Sequence, residues 1–521
     1  MKKFNVTGTC IPEKHYMVDI TNKLMQIKEM VDDEAYFTIN RGRQYGKTTT
    51  LSRLRRFLAD EYTVISLSFE GLGEKVFSDE EQFCRTLVEK IAASLRFSGA
   101  VAEYQKEWLN LKVDDFVSLG KHITNMCENE KIVLLIDEVD KASNNVVFLN
   151  FLSKLREKYL ARQDEQDFTF HSVILAGVYD IRNIKLRLIQ EGLHTPANGE
   201  TVTNNSPWNI AVNFKVDMSF SALEIETMLR EYEKDHSIGM DISEIVQEVH
   251  MYTSGYPVLV SSICKYIDED LEKEWCAKGV RQAVKLILKE DGLLFQSLIK
   301  NLESNQDLSD MAYDVLMADG RWSFTFANPT VGLGVRYGYF KEVVGRVKIS
   351  NKIFELWLTD YFVSRDQLRN LKKTVPITLQ SGIIQNDKFN MQVCLEKFAK
   401  YYHQHYSEKD IVFLERESRY LFLFFLNPIL NGCGFAHIES GFTDDRRMDV
   451  VVSYLDQQFI VELKIWHGDV RHEQAYDQLL GYMDKLSVDE GYLLTFDFRQ
   501  NKLQKQEWLE IQGKKIFDVM L

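Results

Sequence analysis

Cysteine is scarce in this chain, and no two cysteines lie close enough to form a C-x-x-C pair. The 521 residues contain seven cysteines, at Cys10, Cys84, Cys127, Cys264, Cys276, Cys394 and Cys433. Cysteines scattered in this way are typical of reduced thiols in a cytosolic protein. The sequence therefore predicts core or surface thiols rather than a disulfide framework.

Long apolar runs are missing as well. No run approaches the length of about 20 residues that a membrane-spanning helix needs. The first residues, Met-Lys-Lys-Phe-Asn-Val-Thr-Gly, lack the apolar core of a signal peptide. We therefore expect a cytoplasmic protein with no membrane partner.

The chain also lacks an excess of positive charge. Its formal net charge is −14, which argues against a surface that coats nucleic acid non-specifically. Local basic groups occur at Arg53, Arg55 and Arg56, and at Arg365, Arg369, Lys372 and Lys373 in and beside a polar linker. Charge clusters of this size are more often solvated faces than binding sites, and we favour that interpretation.

The most informative segment is a short apolar strand that leads into a turn ending Gly-Lys-Thr-Thr and then into a basic amphipathic helix. Backbone N–H groups in such a turn converge on phosphate oxygens, Lys47 adds a positive charge, and the Thr48 hydroxyl can bind Mg²⁺. The usual spacing is G-x-x-x-x-G-K-[ST], but here Arg41 replaces the first glycine and Gly42 follows it. The predicted nucleotide-binding residues are Arg41, Gly42, Arg43, Gln44, Tyr45, Gly46, Lys47, Thr48 and Thr49.

A second segment supports nucleotide binding. After Lys131 come five aliphatic residues and then Asp137 and Glu138, as expected of a buried parallel strand that ends in a Walker B acid pair. We expect Asp137 to hold Mg²⁺ through water or Thr48, and Glu138 to polarise the attacking water. Further apolar strands at 62–69 and 172–177 alternate with helical patterns, which predicts an α/β parallel sheet with nucleotide at the carboxyl ends of its strands.

Composition changes after this region. Ser221 followed three residues later by Glu224 indicates a helix start, and helices are predicted to about Asp270. The segment Tyr252 to Pro257 separates two helices and can bring a helix N-terminus toward the nucleotide. A helical stretch to Met317 and short strands at 322–326, 337–344 and 346–350 then suggest a winged-helix module. Without a basic recognition helix, a packing and autoinhibitory role is favoured over DNA binding.

A new pattern begins near residue 386. A helix from Met391 to Tyr406 precedes an acidic helix, and two antiparallel strands follow. On the acidic helix, Glu417 can supply a further carboxylate to the site, and Glu415 is the alternative candidate for that role. Asp449 starts the first strand, and the second carries Glu462 and Lys464, which share one face because strand side chains alternate. Such carboxylates can bind one or two Mg²⁺, and the Lys464 ammonium would then lie beside a metal-bound water that attacks a phosphodiester.

A surface Glu–Lys pair on a hairpin would explain the E-x-K triplet alone, but more residues fit a nuclease. Gln478 and Tyr482 lie one turn apart on a following helix, and an apolar strand from Tyr492 comes next. This order raises the nuclease interpretation above the hairpin. His467 and His472 are interpreted as solvated loop histidines, because their spacing matches no helical pair and the site already has oxygen ligands.

The motifs resemble a known family. The N-terminal part looks like the AAA-ATPase-like proteins with an R-x-R-x-x-G-K-[ST] loop, matched by residues 41–48; a Y-x-V-D box, here 16–19; and an S-P-x-N-I-A segment, here 206–211. The C-terminal part looks like the PD-(D/E)XK nuclease module that commonly follows in the same polypeptide. The resemblance implies that the position of Gly42, one residue after the usual first glycine, is a trait of the family. Met448 stands where the literal motif has proline. Arg182 is the one candidate we name for an arginine finger.

The predicted fold is α/β: a P-loop NTPase parallel sheet with a helical lid and a winged-helix module, followed by a restriction-endonuclease-like α/β domain. At about 150 residues per domain, this length suits three or four domains. The expected divisions are residues 1–215 for the ATPase core, 216–278 for the lid, 279–365 for the winged helix, 366–385 for a linker and 386–521 for the nuclease-like domain.

Taken with the resemblance, these motifs lead us to expect an ATP-binding and ATP-hydrolysing protein whose C-terminal domain cuts DNA with Mg²⁺. The resemblance implies a role in defence against phage or mobile elements, and assembly into a homo-oligomer stays open. Two alternatives remain. One is a signalling ATPase whose C-terminal domain binds nucleic acid or a partner without cutting. The other is a scaffold that binds nucleotide without turnover, which Glu138 argues against.

Overall fold

The computed structural model describes most of the chain as two compact units. The described residues are 2–96, 112–142, 145–178, 208–317, 322–369, 381–406, 411–430, 434–439, 449–455, 457–466, 469–486, 488–499 and 505–521. One unit comprises Met1–Ala283 with Arg336–Gly338, and the other comprises Val284–Val335 with Tyr339–Leu521.

A parallel four-stranded sheet forms the centre of the first unit. Its strands are β1 (Tyr36–Asn40), β2 (Thr63–Ser68), β3 (Ile132–Asp137) and β4 (Ser172–Gly177), in the order β1-β4-β3-β2. Every residue of β3 and β4 is buried, as continuous aliphatic runs predict for strands covered on both faces. The predicted P-loop NTPase-like α/β fold with a parallel sheet is confirmed.

The described residues of this sheet region include six α-helices. They are α1 (Thr21–Asp32), α2 (Lys47–Leu58), α3 (Glu74–Ser78), α4 (Glu80–Leu95), α5 (Phe116–Cys127) and α6 (Val146–Gln163). Their apolar faces meet in a core in which Phe83, Phe116 and Phe151 pack edge to face or tilted. The sequence did not reveal α1, α3 or α5. This core fixes the carboxyl ends of β1 and β3, from which the phosphate loop and the acid pair emerge.

From Trp208 onward, where the described part of the chain resumes, the first unit continues with three helices. They are α7 (Ala222–His236), α8 (Ile242–Thr253) and α9 (Pro257–Glu269). The predicted start of α7 is confirmed, because Ser221 and Glu224 form a capping box. Pro257 occupies the first turn of α9, where its missing N–H costs nothing.

The next segment combines helices with a short hairpin. The helices are α10 (Ala277–Lys289), α11 (Leu293–Ser304), α12 (Gln306–Met317), α13 (Pro329–Tyr337) and α14 (Lys352–Arg369), and the hairpin pairs β5 (Phe340–Val343) with β6 (Arg346–Ile349).

Three expectations for this segment were wrong. The strand predicted at 322–326 is reduced to a single bridge between Ser323 and Arg346, and Tyr337 ends a helix rather than beginning a strand. The segment from Pro329 contains two glycines, which hid its helical pattern. The solvated-face interpretation is wrong for Arg365, which is half-buried, packs on Tyr361 and Phe362 and donates to the Ser309 hydroxyl. Arg369 is the last residue of α14. Lys372 and Lys373 lie outside the described residues.

The C-terminal part is built on a six-stranded mixed sheet. A small ladder of β7 (Ile384–Gln385) and β8 (Lys388–Phe389) precedes α15 (Met391–Tyr406) and α16 (Ile411–Leu430). Then come β9 (Gly434–Glu439), β10 (Asp449–Tyr454), β11 (Gln457–Ile465), α17 (Asp469–Lys485), β12 (Glu490–Phe496), β13 (Lys505–Ile511) and β14 (Lys514–Met520). The sheet order is β13-β14-β12-β11-β10-β9.

Strand direction divides this sheet. Strands β9, β10 and β11 are antiparallel neighbours, whereas β12 runs parallel to β11 and β14 parallel to β12. Helix α17 connects β11 with β12 and packs Leu479 and Met483 against Ile460 and Leu493. The predicted helix 391–406 and the antiparallel pairing of the Asp and Glu-x-Lys strands are confirmed, whereas β9 and the β13–β14 hairpin were not foreseen.

Within the described residues, we find no helix with both the length and the apolar character needed to cross a membrane.

Candidate functional site

The phosphate loop joins the end of β1 to the start of α2. Gly46 immediately precedes the helix with φ of +76°, a left-handed conformation that glycine adopts without steric cost. No side chain caps this helix start, so its first backbone N–H groups are directed into the loop. The helix dipole adds positive potential at the same place. The arrangement suits a bound phosphate.

Lys47 is buried inside this loop. Its Nζ donates hydrogen bonds to the carbonyl oxygens of Arg41 and Gly42, each at 2.9 Å. Burial lowers the pKa of the Lys47 ammonium, and the nearby carboxylates of Asp140, Glu138 and Asp137 oppose that shift. A cation is therefore held by the loop and surrounded by acids at the strand ends.

Thr48 and the acid pair meet across the sheet. The Thr48 hydroxyl donates to Asp137 Oδ2 at 2.6 Å, and Asp137 Oδ1 accepts from the backbone N–H of Glu138 at 2.9 Å. Glu138 has φ of +55°, which is uncommon for a residue with a side chain. Burial and the neighbouring Asp137 charge raise the pKa of the Glu138 carboxyl.

Other loop residues are fixed by contacts from distant segments. Tyr256 donates its hydroxyl hydrogen to the Arg43 carbonyl at 2.8 Å, and its ring lies 4.6 Å from that of Tyr45. The Tyr45 hydroxyl bonds to Ser219 at 2.6 Å. The Thr49 hydroxyl accepts from the Cys10 N–H at 3.1 Å. Gln44 has φ of +57°.

The displaced glycine has a steric reason. A Cβ at position 42 would lie 3.0 Å from the carbonyl oxygen of Tyr337, so a larger residue here requires the Tyr337 backbone to move by a few tenths of an ångström. At position 41, where the usual motif has glycine, the Arg41 side chain donates to the Val216 carbonyl and lies over the Phe214 ring. Backbone packing, rather than phosphate contact alone, decides where the glycine falls.

Sequence reasoning missed Asp140 and Tyr256 at this site. Asp140 Oδ2 accepts from the N–H of Val178 at 2.7 Å and so ties the end of β4 to the acid segment. Its position three residues after Asp137 was the one available clue. Tyr256 lies in the segment Tyr252 to Pro257, which was expected to bring a helix N-terminus toward the nucleotide, but its own contact with Arg43 was not predicted. Arg182, named as an arginine finger, lies outside the described residues.

A second group of charged residues gathers on one face of the C-terminal sheet. Asp449 lies opposite Glu462 in the β10–β11 ladder, and Lys464 follows two residues later on β11. Lys464 Nζ forms an ion pair with Glu462 Oε1 and donates to Gln478 Oε1 on α17 at 3.0 Å. The structure thus brings Glu462, Lys464 and Gln478 together. Tyr482 lies one turn beyond Gln478, and Glu415 and Glu417 belong to α16.

Glu462 is completely buried, which the sequence did not foretell. Its Oε2 accepts no hydrogen bond from any residue that the structure describes. Burial raises the pKa of the Glu462 carboxyl, while Lys464 and the buried Arg419 of α16 favour its ionised form. Arg419 is a further site neighbour that sequence reasoning missed, because its helix pattern resembled a core face.

His472 is not a solvated loop residue, contrary to expectation. It lies in α17, half-buried, with Nε2 3.3 Å from Asp518 Oδ2 and 3.1 Å from the Tyr476 hydroxyl. The expectation failed because α17 begins at Asp469 and because Asp518 comes from a strand that was not foreseen. His467 lies outside the described residues.

Both groups suit the cofactors that the sequence predicts. At the first, a buried ammonium, uncapped helix N–H groups and the Thr48–Asp137 pair match the needs of nucleotide phosphates with Mg²⁺. At the second, Oε2 of the buried Glu462 accepts no hydrogen bond from the described residues, and a carboxylate oxygen is a ligand that a hard cation prefers. The described residues contain no cluster of three or more His, Cys, Asp or Glu side chains placed to hold a metal ion.

The sheet, the phosphate loop and the acid pair define an AAA-like P-loop ATPase domain in the N-terminal part. Residues 13–320 match the AAA-like domain family, and the chain belongs to that family.

Relatives of the chain are distant. A stretch of 278 residues is 23% identical to an uncharacterized WD repeat-containing protein of Synechocystis sp., covering 51% of this chain and 21% of that protein. The chain thus spans about a fifth of the length of this curated relative.

Three solved structures share part of the fold. A Walker-type ATPase of Pyrococcus abyssi has a TM-score of 0.44 at 15% identity, covering 68% of this chain and 99% of that one. The ORC2 protein of Aeropyrum pernix has a TM-score of 0.30 at 12% identity, covering 68% of this chain and 95% of that one. RuvB of Thermotoga maritima has a TM-score of 0.32 at 10% identity, covering 69% of this chain and 97% of that one.

Proposed function

We propose that the protein binds and hydrolyses ATP at the phosphate loop and cleaves DNA at the Glu462 centre. The ATPase half is supported by membership of the AAA-like family and by the joined Lys47, Thr48, Asp137 and Glu138 groups. The nuclease half is carried by one observation, the fully buried Glu462 carboxylate beside Lys464.

At the ATPase site, each residue has a distinct task. Lys47 exchanges its loop carbonyl partners for phosphate oxygens, which are charged and bind an ammonium more strongly. Thr48 and Asp137 would hold Mg²⁺, whose charge neutralises that of the phosphates. Glu138 orients the attacking water and accepts its proton, and its raised pKa makes it a stronger base than an exposed glutamate.

At the proposed nuclease site, Glu462 and Asp449 would hold Mg²⁺, which polarises the phosphodiester. Contacts with Glu462 and Gln478 orient Lys464, so its ammonium can stabilise the negative charge that develops on the phosphate oxygens. Removing Glu462 would take away the negative charge that Lys464 and Arg419 face. A buried carboxylate flanked by these cations has a clear use as a metal ligand and little use as a surface pair.

The substrate we propose is DNA, and the biological setting is defence against phage or mobile elements. Both proposals rest on the resemblance of the motifs to AAA-like ATPases fused to PD-(D/E)XK modules. The competing proposal is a signalling ATPase whose C-terminal domain binds nucleic acid without cutting it.

The test uses the purified 521-residue chain. ATP hydrolysis is followed by phosphate release, and cleavage is followed on supercoiled plasmid and on a labelled single strand, in Mg²⁺, Mn²⁺ or EDTA, with and without ATP. We expect phosphate release and metal-dependent nicking. Nucleic-acid binding without product in any metal would favour the binding module, and phosphate release at the buffer rate would contradict the ATPase proposal.

A further inference from the structure

The turn between α8 and α9 is anchored beside the phosphate loop. The Phe220 N–H donates to the Gly255 carbonyl at 2.8 Å, and the two backbones are so close that a Cβ on Gly255 would collide with the Phe220 carbonyl. Ser219, the residue before Phe220, bonds to the Tyr45 hydroxyl of the loop. One short segment therefore holds both the turn and the loop.

Tyr256 is the residue of this turn that bonds to the loop backbone. It is 2% exposed, and its ring meets that of Tyr45 edge to face. Its hydroxyl donates to the Arg43 carbonyl, across 213 positions of the chain. Burial raises the pKa of the Tyr256 hydroxyl, so the group keeps its proton and stays a donor in neutral solution. Packing fixes the ring, and the ring fixes where the hydroxyl lies.

This hydrogen bond orients a whole peptide unit. The unit between Arg43 and Gln44 is trans, so its C=O and its N–H point in opposite directions. Because the Arg43 carbonyl is turned toward Tyr256, the Gln44 N–H is turned away from it. That N–H donates to no backbone carbonyl in the described part of the chain. Gln44 also has the left-handed φ found in backbone nests that bind anions.

Lys47 satisfies the two preceding carbonyls of the loop, those of Arg41 and Gly42. In the proposed ATP complex, Lys47 exchanges these carbonyls for phosphate oxygens. Tyr256 is buried and packed, so its bond to Arg43 needs no such exchange. The Tyr256 hydroxyl is therefore a donor that can hold the loop backbone both before and after nucleotide binds.

We propose that Tyr256 is a positioning residue for the phosphate loop: its hydroxyl holds the Arg43 carbonyl and thereby presents the Gln44 N–H to nucleotide phosphate. A buried tyrosine hydroxyl needs a partner in any case, and a purely structural bond would affect stability alone. The positioning role adds an effect on phosphate affinity. This inference rests on the proposed ATP binding, because the orientation of the Gln44 N–H matters only if phosphate binds there.

The test compares two tyrosine-to-phenylalanine variants of the 521-residue chain. Tyr256→Phe removes the hydroxyl and keeps the ring against Tyr45. Tyr36→Phe is the matched control, because the buried Tyr36 hydroxyl also donates to a backbone carbonyl, that of Phe170, at 2.9 Å. Tyr36 begins β1, whose other end leads into the loop. Calorimetry measures the dissociation constants of ATP and of tripolyphosphate, both with Mg²⁺, and thermal denaturation measures stability.

We expect Tyr256→Phe to bind ATP and tripolyphosphate about fivefold more weakly than wild type, since the net value of one hydrogen bond limits the loss. Tyr36→Phe should lose a similar amount of stability and keep the wild-type affinity for both ligands. A loss of affinity for tripolyphosphate, which has no base or sugar, places the effect on the phosphates.

The outcomes separate this inference from the proposed function. Wild-type affinity in Tyr256→Phe, or an equal loss in Tyr36→Phe, would overturn the positioning role and leave ATP binding standing. Weaker binding of ATP alone would also overturn it, because Tyr256 would then act on the nucleoside. If affinity depends on Tyr256 but wild type releases no phosphate, the positioning role stands and the hydrolysis proposal fails. A wild type that binds neither ligand overturns both.

Discussion

Thr48 and Asp137 are joined by a hydrogen bond of 2.6 Å although 89 positions separate them in the chain. The bond connects the first turn of α2 to the carboxyl end of β3. It brings the hydroxyl and the carboxylate that suit Mg²⁺ to one point and leaves Glu138 beside them. The predictions for the ATPase site depend on this geometry.

Lys47→Ala should abolish tight ATP binding. The ammonium makes charge-assisted contacts worth about 1.5–3 kcal/mol each, so its loss should weaken affinity by about tenfold or more. Isothermal calorimetry of ATP binding measures the change. Arg56→Ala is the control, since Arg56 is an exposed cation on the same helix. Equal ATP affinity in wild type and Lys47→Ala would contradict the assignment of the loop.

Glu138→Gln should separate binding from turnover. The amide keeps the side-chain volume but cannot accept a proton, so ATP affinity should stay near the wild-type value while phosphate release falls by about a hundredfold or more. A steady-state phosphate assay at saturating ATP provides the measurement. Undiminished turnover would show that another group activates the water.

Gly42→Ala should destabilise the protein through its contact with Tyr337. The added Cβ would lie 3.0 Å from a backbone carbonyl oxygen, and where the Tyr337 backbone is held too firmly to move, overpacking of this kind costs about 1–3 kcal/mol. Thermal denaturation of the full chain gives the comparison. Gly73→Ala is the matched control, because its Cβ would meet nothing within 4 Å. A Gly42→Ala protein as stable as Gly73→Ala would refute the steric account of the displaced glycine.

Asp518→Asn should remove a contribution to folding stability that is present at neutral pH and is lost in acid. Burial alone would raise the pKa of the Asp518 carboxyl, but hydrogen bonds from His472 and Tyr476 outweigh it, so the pKa lies below its ordinary value of 3.8. A lowered folded pKa adds stability that is complete above the unfolded pKa and is lost as pH falls through the folded pKa.

The wild-type advantage in melting temperature over Asp518→Asn should therefore be largest near neutral pH and shrink below about pH 4. The expected cost at neutral pH is about 1–3 kcal/mol. Melting curves of both proteins across an acid series measure the difference. An advantage that grows on acidification would have the wrong sign for this network.

Local patterns were enough to predict the phosphate loop, the acid pair and the Asp and Glu-x-Lys strands. Each is encoded by neighbours in sequence, such as the aliphatic run before Asp137 or the alternation around Glu462. The contact of Gly42 with Tyr337 could not be predicted, because it joins distant segments without a shared pattern. The sequence predicted that the segment Tyr252 to Pro257 would approach the nucleotide, but not the bond from Tyr256 to Arg43.

The C-terminal domain shows the same limit. The hydrogen-bond network of Asp518 depends on β14, and the charged spacing of the β13–β14 hairpin hid its strands. The full burial of Glu462 is likewise a tertiary property, set by α17 and α16 on the sheet rather than by the E-x-K triplet. His472 was interpreted as a loop residue because the sequence did not reveal that α17 begins at Asp469 or that β14 supplies Asp518.

The central claim is that Glu462 belongs to a centre that cleaves phosphodiesters, and one comparison tests it most directly. Plasmid nicking in Mg²⁺ is measured for wild type, Glu462→Gln and Glu510→Gln, an exposed carboxylate on the same sheet. The account predicts loss of cleavage in Glu462→Gln alone, because the amide cannot hold the cation. Equal nicking by wild type and Glu462→Gln would contradict the claim.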